Sequence, residues 1–185
     1  MVPDVDDPQD LVNLVNAVNA LRANRQIRAY HDGSDGGLLA AVAEMAFAGH
    51  VGVALNVDML VTEGDGISDS RMETGDAKNW AQQVSARREE LTLKALFNEE
   101  LGVVLQVRTA ERNEVMQTLR EHGLSKFSHF IGKTRPASSS INAGKGELQV
   151  WRDAKAVFSA PLADLHQVWD AVSWKICQQR DNPAN

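Results

Sequence analysis

The run His31-Asp32-Gly33-Ser34-Asp35-Gly36-Gly37-Leu38 gathers the residue types best able to do chemistry in this chain. Two carboxylates, a hydroxyl and an imidazole stand among glycines. A short segment with strand character, Ile27 to His31, precedes it, and an apolar stretch long enough for a helix, Leu38 to Ala48, follows. The loop therefore falls where a strand hands over to a helix. A helix start presents unpaired N–H groups and about half a positive charge, which suits phosphate. Asp32 and Asp35 bring two full negative charges to the same place, so a bare phosphate is still repelled. A divalent cation reverses that sign, because carboxylate and phosphate oxygens together form the shell that Mg²⁺ prefers. The pattern reads as a metal–phosphate loop. Asp, Ser and Gly are also ordinary turn and N-cap residues, and residue types alone leave that second reading open.

The elements that must hold this loop are legible on both sides. Asp7 and Pro8 suit the N-cap and first position of a helix running to about Asn24, with Leu11, Leu14, Val15, Val18 and Leu21 on one face. The periodicity predicts a helix over 37–49 ending at Gly49, then a strand from Val51 to Val57. Residues 61–82 are polar, acidic and aperiodic, which predicts a long surface loop. A helix resumes near Ala81 through Phe97, followed by a buried strand, Leu101 to Val107. Thr109 is placed to cap a helix over 110–122 that stops at Gly123. A strand over 126–133 and a hairpin about Arg152-Asp153 come next. Pro161 opens a last helix whose apolar stripe is Leu162, Leu165, Trp169, Val172 and Ile176. Interleaved strands and helices predict an α/β (α+β) fold, a mixed sheet with helices packed on it. The expectation is one domain over 1–185, with 181–185 the start of a linker.

Composition narrows the function. The chain has 185 residues, 43% hydrophobic and 24% charged, with a net charge of −6. An acidic chain lacks the basic face that nucleic acid requires. The stretch 36–57 has Glu44 near its centre, which disfavours a membrane span. The acidic N-terminus lacks the apolar region of a signal peptide. The single cysteine, Cys177, has no partner for an internal disulfide, so a cytoplasmic setting is expected. It falls on the apolar side of the last helix, where a buried inert thiol is expected.

Three blocks follow one another at telling distances: Tyr30 to Leu38, Ala43 to His50 (Ala-Glu-Met-Ala-Phe-Ala-Gly-His), and Leu96 to Val107 (Leu-Phe-Asn-Glu-Glu-Leu-Gly-Val-Val-Leu-Gln-Val). With the ending from Trp174 to Pro183, they resemble the large single-chain bacterial type of phosphoribosylformylglycinamidine synthase over nearly the whole chain. The resemblance implies a purine-biosynthetic ligase that uses ATP and glutamine to convert formylglycinamide ribonucleotide to formylglycinamidine ribonucleotide. Its synthetase region holds two copies of an aminoimidazole-ribonucleotide-synthetase-like pair of domains, and this chain resembles the C-terminal domain of the second copy. By that match Asp32 is a Mg²⁺ ligand and Ser34 a nucleotide contact, with His31, Asp35, Gly36 and Gly37 as loop support. The nucleotide implied there is a tightly held ADP and not the reacting ATP, so no catalytic residue is expected in this chain. Gly33 stands where the family usually has Arg. The other metal ligands and the glutaminase cysteine belong to domains outside this chain, and Cys177 does not match that cysteine. The partners implied are those other domains and small-molecule nucleotides. Alone, the chain is expected to be inactive and, cut from its neighbours, to expose an apolar face. Its oligomeric state is left open.

Other constellations read as structure. Glu99 and Glu100 are adjacent, so they point apart on a helix and do not share a proton. The histidines lack zinc-site spacing, and His50 reads as a turn residue. Ser138 to Ser140, near Lys133 and Arg135, read as a turn. Trp151, Trp169 and Trp174 read as core or interface anchors. The rival to the ligase reading is a stand-alone nucleotide-binding or interaction module, in which Asp32 and Ser34 merely cap a helix.

Overall fold

The computed structural model describes residues 7–33, 35–62, 77–135 and 146–181, with side chains described for all of these except 62 and 77–84. Its elements in order are α1 (Pro8–Ala23), β1 (Ile27–Asp32), α2 (Gly37–Gly49), β2 (Gly52–Asn56), α3 (Asp58–Thr62), α4 (Ala77–Phe97), β3 (Val103–Val107), α5 (Arg112–Glu121), β4 (Gly132–Arg135), β5 (Glu147–Arg152), β6 (Lys155–Pro161) and α6 (Leu162–Asp181). The fold is α/β with interleaved elements, as the periodicity indicates. The described chain divides into two compact units, one of residues 1–45 and 57–131, the other of 46–56 and 132–185.

The first unit is built on α1, α5 and a two-stranded antiparallel sheet. Asp7 accepts a hydrogen bond from the Gln9 amide at 2.8 Å and caps α1, with Pro8 at its first turn. The buried face of α1 is narrower than the apolar stripe suggests. Ala17 and Leu21 are fully buried with Val115, Leu119 and Leu124, whereas Leu11 and Val15 are exposed. Ile27, Leu105 and Val107 close this core from β1 and β3. The two strands run antiparallel, with Tyr30 opposite Leu105, His31 opposite Val104 and Asp32 opposite Val103. Thr109 does not cap α5. Residues Thr109–Glu111 form a 3₁₀ turn first, and Glu111 precedes the helix without a side-chain cap.

The second unit holds a four-stranded mixed sheet in the order β4-β2-β5-β6. Strand β2 pairs antiparallel with β4 and parallel with β5, and β5 pairs antiparallel with β6. Leu148 and Val150 of β5 are fully buried, and Leu55 of β2 nearly so. The β5–β6 turn falls one residue later than the sequence predicts. Asp153 and Ala154 both take left-handed backbone, with φ of 51° and 59°, the arrangement a two-residue hairpin needs to match strand twist.

Several sequence expectations need correction. The stretch expected as a 61–82 loop carries helix at both ends, the last residues of α3 and the first of α4; residues 63–76 lie outside the described set. The strand expected over 126–133 is a 3₁₀ turn at Ser125–Phe127 followed by β4 at 132–135. Of the two apolar residues that alternate there, Phe127 is exposed, with Lys126 over its ring at 4.4 Å, and Ile131 is only partly buried, so they form no buried strand face. Helix α2 ends at Gly49 as expected, and the left-handed residue that follows it is His50 (φ 50°). Cys177 is exposed, not buried. The physical reason is that the α6 stripe is covered only at its start: Leu162 is buried, but Val172 is 68% exposed and Ile176 58%. Trp169 meets Phe47 and His166 in a ring cluster with centroids 5.1 to 5.9 Å apart, whereas Trp174 is exposed. Helix α6 runs through Asp181, the first residue of the expected linker; 182–185 lie outside the described set, as do Ser138 to Ser140.

Candidate functional site

The glycine loop sits at the end of β1 and the start of α2. Alternation along β1 decides what each residue faces. Arg28, Tyr30 and Asp32 turn outward, and Ile27, Ala29 and His31 turn inward. The Asp32 side chain is 74% exposed, so its carboxylate faces solvent and not the core. Asp35 is exposed too, and Ser34 lies outside the described residues.

The structure brings the first and third sequence blocks together. The Gly33 amide donates to the Gly102 carbonyl at 2.6 Å, one step beyond the β1–β3 register. A Cβ on Gly33 would stand 3.0 Å from the Glu100 carbonyl oxygen and 3.3 Å from that of Gly102. The strand ends approach this closely because Gly33 has no side chain. An arginine here requires the segment 100–102 to give way. Gly37 is more constrained still, with φ +68° and an added Cβ within 2.9 Å of backbone atoms of Leu96, Phe97 and Asn98. The loop is thus packed backbone to backbone on the turn that ends α4.

Glu99 has a function that its sequence position did not reveal. Its Oε1 accepts a hydrogen bond from the Gly36 amide at 2.8 Å across 63 positions of sequence. This amide just ahead of α2 is thus occupied by a carboxylate of the same chain. The reason is again the dipole of the helix start, which favours any anion that reaches it. No local pattern announces a contact of that range.

A second contact without a sequence signal joins the first block to the second. His31 Nε2 lies 2.7 Å from Glu44 Oε2 on α2, and His31 Nδ1 lies 2.6 Å from the backbone oxygen of Asp32. A carbonyl only accepts, so Nδ1 donates to Asp32, and a second proton on Nε2 would donate to Glu44, so the geometry favours the charged form of the ring. The hydrogen bond to the Asp32 carbonyl is the main cause that raises the His31 pKa above its ordinary 6.5; partial burial opposes it, and the Glu44 carboxylate adds to it. The imidazole is 21% exposed and Glu44 32%, so this pair is partly shielded from water. Sequence reasoning treated His31 as loop support and did not find Glu44; a histidine and a carboxylate thirteen residues apart show no spacing signal.

The donor set bears on a metal. Asp32 supplies a hard, outward oxygen, approached among the described residues by His31 Nδ1 at 3.8 Å. Among those residues, no group of three or more His, Cys, Asp or Glu side chains gathers into a cage. A single outward carboxylate suits Mg²⁺, which keeps several waters and takes one or two carboxylates plus phosphate oxygens. Among the described residues, no helix is long and apolar enough to cross a membrane.

Fold and site together define an α/β domain with an acidic, glycine-bounded loop at a strand end. The chain belongs to the family described as AIR synthase related protein, C-terminal domain, which matches residues 1–141. Solved structures share the fold. Thermotoga maritima PurL complexed with ATP matches with a TM-score of 0.56 at 16% identity, over 86% of this chain and 22% of that one. The same protein complexed with FGAR matches with a TM-score of 0.57 at 17% identity, over 87% and 21%. The structure of PurLQS, also from Thermotoga maritima, matches with a TM-score of 0.56 at 16% identity, over 86% and 22%. This chain spans about a fifth of the length of the solved chains it matches.

Proposed function

We propose that this chain is one domain of the synthetase region of a phosphoribosylformylglycinamidine synthase, a cytoplasmic ligase of purine biosynthesis. In that reaction ATP and glutamine convert formylglycinamide ribonucleotide to formylglycinamidine ribonucleotide. The domain's share is to anchor a Mg²⁺-bound nucleotide and to pack against other domains of the same enzyme. Support comes from the family match and from the shared fold with PurL structures, which are described as complexed with ATP, ADP and FGAR. The observation that carries the site assignment is the outward Asp32 carboxylate at the pinned end of β1. Asp32 would hold the metal and Ser34 would touch the nucleotide. Bound there, Mg²⁺ would neutralise phosphate charge. Asp35 adds negative charge nearby, and Gly36 and Gly37 let the chain turn into α2 (φ +87° and +68°). On this reading the chain holds Mg·ADP through Asp32 and Ser34 even without the ligands that the rest of the enzyme adds, and it has no turnover by itself. Product formed by the isolated chain overturns that part.

One observation favours a second reading, an interaction module whose loop is only a turn. Glu99 satisfies the Gly36 amide from within the chain, as a purely structural turn requires. A thermal shift separates the two. At a hundredfold excess over its dissociation constant, Mg·ADP stabilises by about 2.7 kcal/mol, or about 5–10 °C for a chain of this size. The ligase reading expects that shift in the native chain and its loss in Asp32→Asn. An unchanged shift in Asp32→Asn removes Asp32 from the site, and no shift in either favours the turn.

A further inference from the structure

The peptide unit that follows Asp32 is held at both of its polar ends. Its carbonyl, that of Asp32, accepts from His31 Nδ1 at 2.6 Å. Its N–H, that of Gly33, donates to the Gly102 carbonyl at 2.6 Å. One peptide plane gripped on both sides fixes ψ of Asp32, and ψ with the strand's φ fixes where the Asp32 Cβ points. The far side of the His31 ring is itself tied to α2 through Glu44 at 2.7 Å. The last residue of β1 is thereby referred to two neighbours, the Gly102 backbone just ahead of β3 on one side and α2 on the other.

We propose that His31 is a positioning residue for the Asp32 carboxylate. With Glu44 behind it, it locks the Asp32–Gly33 peptide so that the carboxylate is aimed before any cation arrives. This inference rests on the metal-anchoring reading above and adds to it a named pair, His31 and Glu44, that acts without touching the ligand. The physical gain is preorganisation. A carboxylate on a strand end whose last peptide swivels must be ordered when the cation binds, and that ordering weakens affinity. Groups that orient a ligand residue typically change metal affinity by about 10- to 100-fold when removed. The arrangement also accounts for Gly33, since the Gly102 half of the clamp needs an approach that a Cβ obstructs.

The test uses the whole chain and Mn²⁺ as a spectroscopic stand-in for Mg²⁺, with ADP present. Affinity is read by electron paramagnetic resonance, and exchange of the Gly33 amide by nuclear magnetic resonance. Wild type, Asp32→Asn, His31→Gln and Glu44→Gln are compared. The expected result is loss of Mn·ADP binding in Asp32→Asn and about 10- to 100-fold weaker binding in His31→Gln. Gly33 exchange should be at least about tenfold faster in His31→Gln, with the Val150 amide in β5 unchanged, which a general loss of stability would not produce. Glu44→Gln, which keeps the shape and removes the charge, should show a smaller loss of the same kind. Binding lost in Asp32→Asn but unaltered in His31→Gln overturns the positioning role and leaves the metal reading intact. No binding in the wild type sinks the metal reading. Gly33 exchange then decides the clamp: faster exchange in His31→Gln upholds it, and unaltered exchange overturns it.

Discussion

Replacing Gly37 with alanine tests the packing of the loop most directly. Gly37 has φ +68°, and an added Cβ would lie 2.8 Å from the Phe97 carbonyl carbon and 2.9 Å from the Leu96 and Asn98 oxygens. Left-handed backbone costs a residue with a Cβ about 1–2 kcal/mol. The three contacts are backbone atoms, so no side chain can rotate away, and overpacking of this kind costs about 1–3 kcal/mol more. The sum is about 2–5 kcal/mol, equivalent to a fall in Tm of about 10 °C at the middle of the range for a chain of 185 residues. The control is Gly102→Ala in the facing segment. Its Cβ would meet nothing closer than the Glu100 oxygen at 3.9 Å, and reduced freedom of the unfolded chain should make that change neutral or stabilising by up to about 1 kcal/mol. Urea unfolding followed by circular dichroism gives both values, with the slope checked for constancy. If Gly37→Ala costs no more than Gly102→Ala, the loop does not lie against residues 96–98 and the geometry of the site is wrong.

The remaining predictions address the clamp, the core and the cap. His31 has its pKa raised, chiefly by the Asp32 carbonyl and then by Glu44. Its charged form is the one the fold favours, so this stabilisation is complete below about pH 6.5 and disappears as pH rises through the raised value. Wild type should therefore lose stability between pH 6 and pH 9 relative to His31→Gln; a wild-type advantage that is the same at both pH values excludes the charged ring. Leu21→Ala, at a fully buried position of the α1–α5 core, should cost about 2–5 kcal/mol in chemical unfolding, whereas Val15→Ala on the exposed side of the same helix should cost under about 1 kcal/mol. Asp7→Ala removes the α1 cap and should cost about 1 kcal/mol, with Asp7→Asn close to wild type in the same measurement.

Local chemistry made most of the elements readable. Cap, proline and periodicity place α1, and the α2 span is read from its apolar run. The alternation of Leu148, Val150 and Phe158 marks the hairpin. Where sequence reasoning failed, the deciding force was not local. Phe127 and Ile131 alternate like a strand face, but Phe127 is exposed with Lys126 over its ring. The α6 stripe promises a buried Cys177, but periodicity reports which residues share a face and not whether anything covers it. Leu11 and Val15 repeat that lesson on α1.

The site divides in the same way. Sequence by itself determined the loop's residue types and their place, carboxylates and glycines between a strand and a helix, because backbone preference acts between near neighbours. Tertiary structure alone decided what that loop touches. The Glu99 carboxylate on the Gly36 amide, the Gly102 carbonyl on Gly33 and the Glu44 carboxylate on His31 join segments 13 to 69 residues apart. Such contacts depend on how helices and strands pack once formed, and no spacing within a segment encodes them.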